Sequence, residues 1–105
     1  MNRIAALNDE FRKTFRGGRV MLTAGVGELP AMVIANVLCR VASFNEFTEG
    51  NDPNGEHDFG SFTFCSRKFI WKIDYYDPDM QAGSEDAADL AKTTRVLTVM
   101  LAHEY

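Results

Sequence analysis

From Gly60 to Tyr76 aromatic and polar residues alternate on either side of the dipeptide Ser66-Arg67, and this pattern limits the fold more than any other segment does. A period of two is the mark of a half-buried strand. Residues 60–65 and 68–76 therefore read as the arms of an antiparallel hairpin. Its turn holds neither Gly nor Asn, which two-residue primed turns prefer, so the register is open by one position. With Cys65 opposite Lys68, Phe64 faces Phe69, Phe62 faces Trp71, and Ile73 extends the same face. The other face of the second arm carries Lys72, Asp74 and Tyr76, with His57 just ahead of the first arm.

The aromatic face needs cover, and the flanking segments read as helices. Residues 2–15 place Ile4, Leu7, Phe11 and Phe15 on one stripe and Asp9, Glu10, Arg12 and Lys13 on the other side, as a surface helix does. Gly17 and Gly18 stop it, and residues 19–24 alternate as a strand, with Val20 and Leu22 facing one way and Met21 and Thr23 the other. After a turn at 25–29, Pro30 suits the first position of a second helix over 31–44. Only Asn36, Arg40 and Ser43 are polar on it, so cover on more than one side, or a subunit interface, is expected.

Residues 89–104 are ambiguous. Leu90, Leu97, Met100 and Leu101 fit a helix, Val96, Thr98 and Val99 are β-branched, and the length favours a helix capped by Asp86 or Asp89. The expected architecture is α+β: a small, mainly antiparallel sheet made of the hairpin plus one further strand, covered by about three helices. The first strand, second helix and third strand would form a right-handed crossover.

With 105 residues, of which 46% are hydrophobic and 25% charged, one domain spanning 1–105 accounts for the chain. The net charge of −4 argues against direct DNA binding and against a membrane-surface role, both of which need a cationic footprint. No apolar run is long enough to span a bilayer and no secretory signal precedes the first helix, so a cytoplasmic protein is expected. Cys39 and Cys65 show no metal-binding or dithiol spacing and are expected to be buried, reduced thiols.

Three motifs bear on chemistry. Gly25-Val26-Gly27 followed by Pro30 matches a dinucleotide loop only in part, because Pro30 stands where the third glycine belongs, and a tight turn into a helix explains it better. Asp52, Asn54, Glu56 and Asp58 alternate as weak oxygen ligands for a cation, but Thr63 occupies the position of the closing Glu of a calcium loop, and Pro53-Asn54-Gly55 is an ordinary turn. No metal and no cofactor is therefore expected. Ser84, beside Glu85 and Asp86, reads as a cap at the start of the last helix.

The densest set of capable side chains is Glu56, His57 and Asp58 with Lys72, Asp74, Tyr75, Tyr76 and Asp77. A carboxylate orients an imidazole, the imidazole moves protons, and Lys72 offsets developing negative charge, which makes His57, Asp74 and Lys72 the catalytic candidates. The same residues, together with Glu85 and Asp86, are the candidate binding surface. Without a nucleophile or a second metal-binding histidine beside them, catalysis is the lesser expectation.

The strings Gly55-Glu56-His57-Asp58-Phe59-Gly60, Trp71-Lys72-Ile73-Asp74-Tyr75-Tyr76-Asp77, Gly83-Ser84-Glu85-Asp86 and Thr93-Thr94-Arg95-Val96-Leu97-Thr98 resemble an uncharacterised bacterial domain family of unknown function. Leu22-Thr23-Ala24-Gly25-Val26 and the closing Met100-Leu101-Ala102-His103-Glu104-Tyr105 share the resemblance. That family is common in alphaproteobacterial genomes, plasmids and integrated mobile elements. The resemblance implies a small cytosolic protein of the mobile gene pool and transfers no catalytic residues. The leading expectation is a non-catalytic accessory or anti-defence factor that binds a host protein through its acidic loops. The alternatives are a metal-assisted hydrolase or nuclease on the polar hairpin face, which requires Asp58, Asp74 and Asp77 to converge, and a homodimer joined through the second helix.

Overall fold

Asn2 starts the first helix by accepting the amide protons of Ile4 (2.7 Å) and Ala5 (3.4 Å), two of the donors that a helix N-terminus leaves unpaired. The structure, a computed structural model, describes residues 2–105. Helix α1 (Arg3–Thr14) stops where Phe15 turns left-handed at φ 57° and its amide returns to the Phe11 carbonyl. Its buried residues are Ala5, Asn8, Phe11 and Arg12. Arg12, expected on the solvent side, is only 1% exposed, so the buried stripe is rotated toward Asn8 and Arg12.

Four strands form one sheet in the order β1-β4-β3-β2, with β1 at Gly18–Leu22, β2 at Phe59–Phe64, β3 at Arg67–Tyr76 and β4 at Thr94–Leu101. β3 pairs antiparallel with both β2 and β4, whereas β1 pairs parallel with β4. The expectation of a mainly antiparallel sheet of a hairpin plus one strand is thereby corrected to a four-stranded mixed sheet. The expected last helix is β4, with short 3₁₀ turns at Leu90–Lys92 and Ala102–Glu104 on either side. Its side chains are buried on both faces of the sheet, from Arg95, Val96 and Leu97 to Val99, Met100 and Leu101. A central strand covered on both faces has no polar stripe, so its sequence lacks the alternation that marks a half-buried strand.

The hairpin forms, but one residue earlier than expected. Its turn is Cys65-Ser66, both at positive φ (51° and 62°), as a primed two-residue turn requires. Phe62 therefore faces Phe69, and Gly60 faces Trp71. The shift moves partners along the strand without exchanging faces, so Phe62, Phe64, Phe69, Trp71 and Ile73 stay on one side. Gly60 is required there, because a Cβ would collide with the Trp71 indole and stand 2.9 Å from a Phe44 ring carbon.

Between β1 and β2 lie a single helical turn, α2 (Ala24–Gly27), in place of the expected turn, and α3 (Ala31–Ala42), with Pro30 as its N-cap residue rather than its first helical one. The connection through α3 joins β1 to β2, not to β3, which runs antiparallel to β1 with β4 between them. The core gathers Phe11 of α1, Val26 of α2 and Val37 and Val41 of α3 against Phe69, Trp71, Ile73, Leu97, Val99 and Leu101. α3 is buried on one side only, and its Met32 is 79% exposed. Cys39 and Cys65 are free thiols, and both are exposed rather than buried.

Two stability measurements check this packing. Trp71→Ala should cost about 3–5 kcal/mol in chemical denaturation, the range for emptying a buried aromatic site. Ser66→Gly should stabilise by up to about 1 kcal/mol, because glycine adopts the left-handed turn conformation without the Cβ penalty.

Candidate functional site

The starts of β1, β2 and β4 and the end of β3 lie at one end of the sheet, which brings the two long loops, residues 45–58 and 77–93, to the same edge of the fold. Beneath them lies a buried polar network. Arg95 on β4 and Asn8 on α1 are 1% and 0% exposed. The Arg95 Nε donates to Asn8 Oδ1 at 2.7 Å, and its Nη2 donates to the Ala87 carbonyl in the second loop. Asn8 Nδ2 donates to the Tyr75 hydroxyl (2.8 Å) and to the Glu56 carbonyl (3.0 Å), and the Tyr75 hydroxyl donates to Glu56 Oε1 at 3.0 Å. Burial holds the Tyr75 hydroxyl well above the usual phenol range and draws the Arg95 guanidinium below its own.

A second chain of contacts starts one residue along α1. Asp9 Oδ1 accepts from Arg12 Nη2 at 3.0 Å and lies 3.0 Å from His57 Nδ1. The other His57 nitrogen lies 3.7 Å from Asp52 Oδ2, and the imidazole stacks on Phe47 with centroids 4.0 Å apart. Arg12 Nη1 donates to the carbonyls of Val41 and Ala42, capping the end of α3, and its guanidinium lies over the Trp71 ring at 5.1 Å. Burial, opposed by Asp9, lowers the Arg12 guanidinium below its ordinary value. Arg12 Nε, Arg95 Nη1 and Trp71 Nε1 are buried donors without a partner among the described residues.

The residues picked from sequence are divided between environments. Lys72 pairs with Asp74 on the sheet face opposite the core, and Tyr76 shares that face by strand alternation. His57 instead contacts Asp9, Asp52 and Phe47. Glu56 belongs to the buried network through Tyr75. Asp58 accepts the Ile73 amide at its carbonyl, and its carboxyl is raised above the ordinary value by burial, then by Glu56, Asp52 and Asp74. Asp77 accepts the Gln81 amide, Glu85 lies 3.8 Å from Lys92, and Asp86 accepts the Ala88 amide.

Asp52 uses one carboxylate oxygen to accept the amides of Glu56 and His57, and Asn54 is exposed. Among the described residues no group of three or more His, Cys, Asp or Glu is placed to hold a metal ion. Ser84 caps no helix. Its hydroxyl accepts the Asp86 amide and meets the Thr93 hydroxyl at 2.7 Å, while Asp89 caps the 3₁₀ turn by accepting the Ala91 amide.

The partial dinucleotide motif has a structural explanation. Glu104 accepts from the Thr23 hydroxyl (2.6 Å), the Gly25 amide (3.0 Å) and the Leu101 amide (2.9 Å), so a carboxylate of the chain itself occupies the start of α2. A Cβ on Gly25 would stand 2.7 Å from Glu104 Oε1. Thr23 first, then Leu101 and Gly25, hold the Glu104 carboxyl below its ordinary value.

Sequence reasoning missed Asn8, Asp9 and Arg95 as partners, and it grouped Tyr75 with the capable side chains without its bonds to Asn8 and Glu56. The available signal was Arg95, a cation inside an apolar run and in phase with Leu97 and Val99 once that run is read as a strand. Charge is also sorted by the fold. Ten of the fifteen acids lie in residues 46–58 and 77–93 with one base, Lys92, so these loops carry nine net negative charges and the remainder five net positive.

Residues 22–104 match the family described as "Protein of unknown function (DUF3768)". The match leaves out α1, which supplies Asn8, Asp9 and Arg12 to the two networks. No curated protein and no solved structure matches the chain. No helix of the described residues is long and apolar enough to cross a membrane.

The two displaced carboxyls have opposite consequences for stability. A depressed acid such as Glu104 stabilises the fold above its unfolded value, and that contribution is lost as pH falls through the folded value. A raised acid such as Asp58 costs stability while charged, and the cost disappears as pH falls through its raised folded value. Glu104→Gln should therefore lower the melting temperature at neutral pH and Asp58→Asn should raise it; the Glu104 difference shrinks as the pH drops below about 4, whereas the Asp58 difference shrinks earlier, between its raised folded value and about 4. Thermal melts across pH check both signs.

Proposed function

We propose that this chain, which belongs to the DUF3768 family, acts by binding a positively charged surface of a protein partner with the acidic loops at one end of its sheet. The observation that carries this reading is the charge sorting, nine net negative charges in two adjacent loops on a body that is net positive. Complementary potentials of this kind speed encounter and select partners. The carboxyl of Asp58, raised by burial first and then by Glu56, Asp52 and Asp74, supports it, because an acid kept at a cost to stability is a feature of sites more than of scaffolds.

The state of His57 supports binding over proton transfer. One ring nitrogen is engaged by Asp9, the other faces Asp52, and the ring is stacked on Phe47. In this reading, which extends the resemblance to bacterial mobile-element proteins, the chain is a cytoplasmic accessory or anti-defence factor that occludes a cationic nucleic-acid channel of a host protein.

The test uses the exposed acids Glu46, Glu49, Asp79 and Glu85. Changing all four to Lys should leave stability within about 0.5 kcal/mol per site, as exposed substitutions do. It should also abolish retention of the partner that the unaltered chain captures from its host and releases in high salt. Equal capture by the charge-reversed variant, or capture insensitive to salt, would overturn the proposal.

A further inference from the structure

Strand β1 is an edge strand, hydrogen-bonded among the described residues to β4 alone. The Thr23 amide donates to the Val99 carbonyl at 3.1 Å, which sets the alternation along the edge. Odd-numbered residues of β1 turn their main-chain groups toward β4, and Gly18, Val20 and Leu22 turn theirs outward. Among the described residues no hydrogen bond reaches the main chain of Val20 or Leu22 from the open side. An unpaired edge of this kind is a template for another strand unless proline, a bulge or cover blunts it. β1 has no proline, and Met21 and Leu22 are 52% and 36% exposed beside the open groups.

The charge along this edge selects its occupant. Residues 11–27 hold four bases, Arg12, Lys13, Arg16 and Arg19, and no acid. Arg12 is consumed by Asp9 and α3, but Lys13, Arg16 and Arg19 are exposed, and none is in an ion pair among the described residues. A second copy pairing β1 with β1 would bring the same three cations against their duplicates. The other edge, β2, is entered directly from the acidic loop through Glu56 and Asp58, so it repels what β1 attracts.

We propose that the free edge of β1 takes up an extended segment of a protein partner, alternating acidic and apolar residues, as a fifth strand. Main-chain hydrogen bonds to Val20 and Leu22 supply the pairing. Val20 and Leu22, on one face of the strand, receive the apolar side chains, and Arg19, on the opposite face, receives the carboxylates together with Arg16 just ahead of the strand. The proposal does not rest on the acidic loops, and their charge-reversed variant leaves this edge intact.

The probe is a capped seven-residue peptide alternating glutamate and valine, added to the isotope-labelled full chain, with a lysine-for-glutamate peptide as its counterpart. The glutamate peptide should slow amide hydrogen exchange at Val20 and Leu22, and the lysine peptide should not. Arg16→Glu combined with Arg19→Glu, both exposed positions, should weaken binding by about tenfold or more, the scale of losing two charge contacts at a rim. Protection of Ser61 and Thr63 instead, equal protection by the lysine peptide, or none at millimolar peptide would overturn the proposal. Protection of Val20 and Leu22 that rises with protein concentration in the absence of peptide would assign the edge to a second copy and overturn it as well.

Discussion

Arg95 enters the core on the central strand, and the surrounding structure is arranged to make a buried guanidinium tolerable. A cation removed from water without partners is costly, and among the described residues no carboxylate forms an ion pair with it. Its hydrogen bonds go to the Asn8 amide oxygen and the Ala87 carbonyl, its charge lies over the Tyr75 ring at 5.3 Å, and Glu56 is reached through the Tyr75 hydroxyl. Four parts of the chain must be in place together for this: α1, both long loops and the end of β3. Docking of α1 is therefore coupled to loop order by hydrogen bonds as well as by the apolar contacts of Phe11.

What could be read from the sequence follows from how clear each pattern is. The hairpin aromatics were legible because β2 and β3, from Gly60 onward, alternate except at Ile70, and an error of one residue in the turn leaves the faces unchanged. The turn position was not legible, since Cys65 and Ser66 adopt left-handed conformations that their residue types do not announce. β4 was misread because burial on both faces removes alternation, leaving a stretch in which leucines at helical spacing compete with β-branched residues.

The second error explains a third. With residues 94–101 in the sheet, the described residues hold no third long helix to lay over α3, and a helix expected to be covered on several sides keeps Met32 in solvent. Of the candidate site, the acidic loops and Lys72-Asp74 were visible as local strings. The link from His57 to Asp9 spans most of the first half of the chain, and that from Asn8 to Arg95 nearly all of it. Only the topology brings such pairs together.

Loops of this length with no more regular structure than one 3₁₀ turn are uncommon in small domains unless they serve a function, and here each is pinned from outside itself. The first is held by Asn8 on the Glu56 carbonyl and by Asp9 on His57, the second by Arg95 on the Ala87 carbonyl and by Arg3 on the Ala88 carbonyl at 2.9 Å. Two of these anchors, Arg95 and Arg3, are cations set under chain segments rich in acids, so they lower the self-repulsion of the loops without neutralising the outward carboxylates of Glu46, Glu49 and Glu85. An acidic surface held in shape before a partner arrives loses less conformational entropy on binding than a disordered tail of the same charge. Burying Arg95 thus connects stability to presentation: the interaction that makes α1 part of the fold also fixes the geometry in which the acids face solvent.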